Sequence, residues 1–157
     1  MALATVVLIG GLVIRFAFVT SPDQAAVKKA PHISDVSFEQ AATAVCKQYV
    51  QIFNTETTLG DQPTQAQSGA FLESIATSFD AMVEKLAAIP VAPPDQALVS
   101  AWLTQWRQYD SFGHRYATAV GQGAERDLVA HPAAIDSLLR QRNAFAKANH
   151  MSSCAFN

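Results

Sequence analysis

What is scarce in this sequence narrows its functions more than what is abundant. Charged residues make up only 15% of the 157, and the formal net charge is −2. Setting aside residues 1–20 removes Arg15 and leaves ten basic against thirteen acidic side chains, a net of −3. The basic residues are scattered, so there is no positive stripe to hold a phosphate backbone, and nucleic acid is not an expected partner. Cysteine occurs only at Cys46 and Cys154. Two thiolates cannot complete a four-cysteine zinc site, and neither Cys-x-x-Cys nor Cys-x-x-Cys-His occurs, which excludes thioredoxin-type redox chemistry and covalent haem. Four histidines stand at 32, 114, 131 and 150, with no two spaced i, i+3 or i+4, so no helix carries a ready-made histidine pair for a metal. Gly-x-Ser-x-Gly, phosphate-loop, dinucleotide and His-Glu-x-x-His signatures are all absent. The expectation is a protein without catalytic residues, resident metal or cofactor.

Charge is most conspicuously missing at the start. Residues 2–14 are uncharged, and after Arg15 the apolar run resumes to Thr20. The uninterrupted part is too short to span ~30 Å of hydrocarbon. Counted through to Thr20 it just reaches, with Arg15 near one end, where it can snorkel. Residues 1–20 therefore read as a signal-anchor or a cleaved signal peptide, with Val19 and Ser21 as weak cleavage-site residues. A lipoprotein anchor is excluded, because no cysteine follows until Cys46. Arg15, Lys28 and Lys29 all follow the run, which by the positive-inside tendency would leave the rest of the chain in the cytoplasm. A translation start upstream of Met1, supplying a basic segment, would resolve that order of charges.

Residues 21–35 have two prolines and no apolar period, and read as a linker. Beyond it, apolar residues recur at three and four. Ser37 is a candidate N-cap for a helix to about Thr57, with the stripe Phe38, Ala42, Val45, Tyr49, Ile52 and with Cys46 beside it. A breaker at 59–63 precedes a second helix over 64–88, with Phe71, Ile75, Phe79, Met82 and Leu86 on one face. The segment Ile89-Pro90-Val91-Ala92-Pro93-Pro94 cannot be helical. Asp95 can then cap a third helix, whose stripe Val99, Trp102, Trp106, Tyr109, Gly113, Tyr116, Val120 alternates three and four without a miss, up to Gly121-Gln122-Gly123. Residues 124–130 read as a short turn. Pro132 opens a fourth helix to about Asn149, carrying Ile135, Leu138, Leu139, Arg142, Phe145 and Ala146. Nothing alternates with period two, so no sheet is expected. Residues 36–157 are thus read as an all-α, antiparallel bundle of about four helices behind an N-terminal hydrophobic helix.

Cys46 and Cys154 read either as one disulfide, if the domain matures in an oxidising compartment, or as two unrelated buried thiols. A bridge would close a loop of about a hundred residues and stabilise by ~4–5 kcal/mol in the chain-entropy model. His150 and Met151 beside Cys154 would suit copper, and Met82 or Met151 with a histidine could ligate a b-type haem, but tail and core roles explain these residues more simply. The aromatic face of Trp102, Trp106, Tyr109 and Tyr116 is a candidate partner or ligand face, against the plainer reading of core. Glu73, Asp80 and Glu84 on the second helix read as a solvated face.

The run Phe38-Glu39-Gln40-Ala41 leading to Cys46, the Ile89-Pro90 and Pro93-Pro94 connector ahead of Trp102, and Asn143-x-x-Ala146 followed by Cys154 resemble the small exported or membrane-anchored helical proteins of actinobacteria, over about residues 35–156. The Leu-Gly-Leu-x-x-Cys ending of those proteins is replaced here by Asn149-His150-Met151-Ser152-Ser153-Cys154. The resemblance implies a cell-envelope location, on the extracytoplasmic side, and a paired Cys46–Cys154, which favours export over the charge order. It implies no activity. Two function classes follow as expectations. One is a non-enzymatic envelope module, inserted in the membrane through residues 1–20 and binding another envelope protein as an accessory subunit. The other is a carrier or sensor of a small apolar ligand or haem.

Overall fold

A computed structural model describes residues 30–55, 62–125 and 132–156. The hydrophobic segment 1–20, the breaker at 59–61 and the turn at 126–130 lie outside the described residues. Four α-helices make up the bundle: α1 (Val36–Thr55), α2 (Gln65–Ala87), α3 (Gln96–Gln122) and α4 (Pro132–Ala148). Short 3-10 turns at Pro93–Asp95 and Ser152–Cys154 complete it, and there is no strand among the described residues. Neighbouring helices run antiparallel: Phe53 of α1 stacks on Phe79 of α2, while Lys85 of α2 lies over the Tyr49 ring. No helix among the described residues is long and apolar enough to cross a membrane.

The helix starts are built by side chains. Thr64 and Gln67 form a reciprocal capping box that opens α2. At α1 the cap is Asp35 rather than the expected Ser37: Asp35 Oδ1 accepts from the Phe38 amide at 3.0 Å and also from the Ser37 hydroxyl. Its second oxygen accepts from the Ala92 amide at 2.8 Å, in the connector between α2 and α3. The Ser37 hydroxyl, ahead of the Ala92 and Phe38 amides, holds the Asp35 carboxyl below its ordinary range. Asp95 returns the favour. It makes no side-chain cap on α3, and its buried carboxylate instead accepts from the Ser34 amide and hydroxyl and from the Asp35 amide, at 2.8–2.9 Å. Two aspartates thus exchange hydrogen bonds between the starts of α1 and α3.

Residues 31–35, the end of the stretch read as linker, have no helical or strand structure but are held in place. Ile33 is buried, and its amide donates to Asn149 Oδ1 at 2.8 Å. Asn149 Nδ2 donates to the carbonyls of Pro31 and Phe145. A fully buried asparagine so ties both ends of the described chain together.

The core runs through Phe38, Ala42, Cys46 and Tyr49 of α1, Met82, Val83 and Leu86 of α2, Val99, Trp102 and Trp106 of α3, and Phe145 and Ala146 of α4. Cys46 is part of the buried stripe of α1, where Val45 and Ile52 pack at its edge. One contact has no apolar side chain in it. A Cβ added to Gly69 of α2 would come within 2.6 Å of the Gly121 Cα of α3, so the two backbones touch there. Ala76 and Gly113 continue this seam of small residues and hold α2 and α3 close along it.

Candidate functional site

The two cysteines form a disulfide, with sulfurs 2.06 Å and Cα atoms 5.1 Å apart, and both are fully buried. It fastens the Ser152–Cys154 turn onto the middle of α1. A copper site at the tail does not form: the Cys154 sulfur is committed to the bridge, Met151 is fully buried and His150 is exposed. Met82 is likewise fully buried in the core.

The aromatic face of α3 divides. Trp102 and Trp106 are core residues, in a T-shaped pair at 6.2 Å. Trp102 also stacks on Phe145 at 5.5 Å. Trp106 faces Phe79 and Phe156 and carries the Arg142 guanidinium 3.8 Å above its ring. Tyr109 is half-buried and shares the guanidinium at 4.6 Å, whereas Tyr116 lies two turns further on, stacked against Phe112. Arg142 is a buried cation with no carboxylate partner among the described residues. Burial pushes its guanidinium down to about 10, so it stays charged at neutral pH. The aromatic faces, the Asn143 side-chain oxygen and the Phe156 carbonyl hold it.

Beside Trp102, residues of α3 and α4 line a groove of about 510 Å³. Leu98, Ala101, Ala144 and Phe145 give it apolar walls, and the exposed Pro31 and Arg140 also line it.

A polar cluster sits on the other side of α3, against α2. Glu73 and Asp80 lie two turns apart on α2, and Asp110 and His114 lie one turn apart on α3. His114 Nδ1 is 2.8 Å from Glu73 Oε1, and its Nε2 is 3.1 Å from Asp80 Oδ2 and 3.7 Å from Asp110 Oδ2. Asp110 is only 5% exposed, and its Oδ1 has no hydrogen-bond partner. Burial, reinforced by Asp80, pushes Asp110 up to about 7. Contact with Asp110, then His114, lowers Asp80. The shared proton therefore rests on the buried carboxyl and the charge on the exposed one. Glu73 first, then Asp80, raises His114, against the effect of its partial burial. This cluster is not expected from the histidine spacing. Its sequence trace is the Asp110-x-x-x-His114 pair on α3, matched by Glu73 and Asp80 seven apart on α2. Each half alone looks like the solvated side of one helix.

No protein-family model, curated protein or solved structure matches this chain.

Proposed function

We propose that this chain is a non-enzymatic module of the cell envelope, held at the membrane by residues 1–20 with its bundle on the extracytoplasmic side. It binds another envelope protein through the α3–α4 groove, as an accessory subunit. The observation that carries the reading is the buried Cys46–Cys154 cystine. Disulfides persist where the surroundings are oxidising and are rare where thiols are kept reduced. The groove supports a binding role, because it is the one place described where Trp102 and Phe145 come under an open, apolar-walled surface. A photo-crosslinking residue in place of Ala101, in the full chain and in intact cells, tests this. One stoichiometric envelope partner should be captured, and Ala144→Trp, which fills the groove, should abolish the capture while leaving the thermal melt unchanged. Equal capture by the filled variant would contradict the reading.

A second reading follows from the groove's size. Its ~510 Å³ falls within the range of small-molecule sites, with Arg140 placed to meet an acidic head group. In that case the chain is a carrier of a small apolar ligand. Among the described residues no histidine lines the groove. Native mass spectrometry of the purified chain would then find a bound small molecule that Ala144→Trp excludes.

A further inference from the structure

We propose that Asp80, Asp110 and His114 bind one divalent transition-metal cation of the zinc class, bridging α2 and α3. One ligand atom from each of the three lies within 4.8 Å of the others. Ligand atoms around a tetrahedral zinc, with bonds of ~2.1 Å, stand about 3.4 Å apart. The His114 Nε2 separations of 3.1 Å to Asp80 and 3.7 Å to Asp110 lie on either side of that value. Little movement is needed to place an ion among them.

An acidic cluster alone would not carry this, but the Asp110 carboxylate does. It is nine-tenths buried, its Oδ1 has no partner, and its Oδ2 lies 3.7 Å from His114 Nε2, with Asp80 beside it. No lysine or arginine forms an ion pair with it among the described residues, so a cation seated between Asp110, Asp80 and His114 would meet no competing positive side chain of those types. A dication held by two carboxylates and a neutral imidazole leaves no net charge on the cation and its three ligands.

The imidazole is also oriented for the role. Glu73 Oε1 lies 2.8 Å from Nδ1, placed to accept the Nδ1 proton, and Nε2 faces the two aspartates, where a cation would replace the proton between Nε2 and Asp80 Oδ2, 3.1 Å apart. A carboxylate behind a ligating histidine is the usual outer support of a metal centre. The mixed nitrogen and oxygen donors exclude the hard cations as preferred occupants, since magnesium and calcium seek oxygen alone. Asp80 and His114 are partly exposed, so an ion has an entry path and water can take a remaining position. This site is on the opposite side of α3 from the groove and does not depend on the groove's role.

The test is calorimetric titration of the chelator-stripped full chain with Zn²⁺, and with Mg²⁺ for comparison. One equivalent of Zn²⁺ should bind and Mg²⁺ should not. Asp110→Asn and His114→Ala should each weaken binding about 100-fold or more, and Glu73→Gln about 10–100-fold, as loss of an outer partner does. His32→Ala and His150→Ala, both exposed and outside the cluster, should bind as the parent does. If circular dichroism shows that a core-side variant has lost its fold, Asp80→Asn on the exposed rim supplies the same comparison and should show the same loss. X-ray absorption of the zinc-loaded chain should find one imidazole among nitrogen and oxygen ligands. No saturable Zn²⁺ binding would overturn the proposal. So would binding that persists in the folded His114 or Asp80 variant, or binding lost in the His32 or His150 variant.

Discussion

His150 is the only non-glycine with a positive φ among the described residues, at 56°. It stands just past α4, where the Met151 amide reaches back to the Ala146 carbonyl at 2.8 Å and the Asn149 amide to that of Phe145. That closure needs a left-handed residue, and glycine supplies it without the Cβ clash. His150→Gly should therefore stabilise the protein by about 1 kcal/mol, read from chemical denaturation. A loss of stability would mean that the exposed imidazole makes a contact of its own. The Asp110 cluster predicts a pH dependence for the metal-free chain. Asp110 keeps its proton up to about 7 in the fold, against 3.8 when unfolded, so stability falls as pH rises through that interval. His114 is raised above 6.5, so its contribution is complete below 6.5 and is lost as pH rises through its folded value. Asp80 is lowered below 3.8, so its contribution is lost only as strong acid protonates it. Denaturation in the presence of chelator should find the chain more stable near pH ~5 than near pH ~8. Asp110→Asn should recover about 1–3 kcal/mol at the higher pH by removing a buried charge.

At the scale of the helices, glycine separates two kinds of contact. Gly69→Ala drives a methyl into the Gly121 backbone and should destabilise by about 1–3 kcal/mol. Gly113→Ala meets only the Ala76 methyl, at an ordinary 3.6 Å, and should instead stabilise by about 0.5–1 kcal/mol through helix propensity. Thermal melts of the two variants should therefore move in opposite directions. The same seam shows what a sequence can and cannot reveal. The unbroken three-and-four stripe of α3 announces a helix with one buried face, and Trp102 and Trp106 are indeed buried. Pro132, Thr64 and Gly123 mark helix ends because capping is local chemistry. Gly113 reads as a member of the stripe and Gly121 as part of a stop, and Gly69 draws no notice at all, because only the register of α2 against α3 shows that Gly69 is the position where a Cβ would strike the facing backbone. Asp95 reads as a cap for its own helix, yet it serves the start of α1. The acid–histidine cluster is illegible for the same reason. Glu73 and Asp80 become partners of His114 only when antiparallel packing sets the register of α2 against α3.

Across the whole molecule, the C-terminal tail is held by three unlike devices. Phe156 packs edge-on to Phe53, Phe79 and Trp106. Its carbonyl accepts from Asn143 at 2.7 Å and from Arg142. The disulfide then joins the tail to α1 across 108 positions of sequence. Because the bridge lies fully buried, a reductant should reach it only when the tail opens. Hydrogen exchange after reduction should show the tail and α4 losing protection before α1, α2 and α3. Simultaneous loss across all four helices would mean that the bridge holds the whole bundle rather than one end of it. The measurement that bears most directly on an envelope module folded outside the cytoplasm is the thiol state of the chain in its own compartment. Alkylation of intact cells, followed by non-reducing mass spectrometry, should find Cys46 and Cys154 joined, unlabelled and two hydrogens lighter than the dithiol. Two alkylated cysteines in freshly recovered protein would contradict the account.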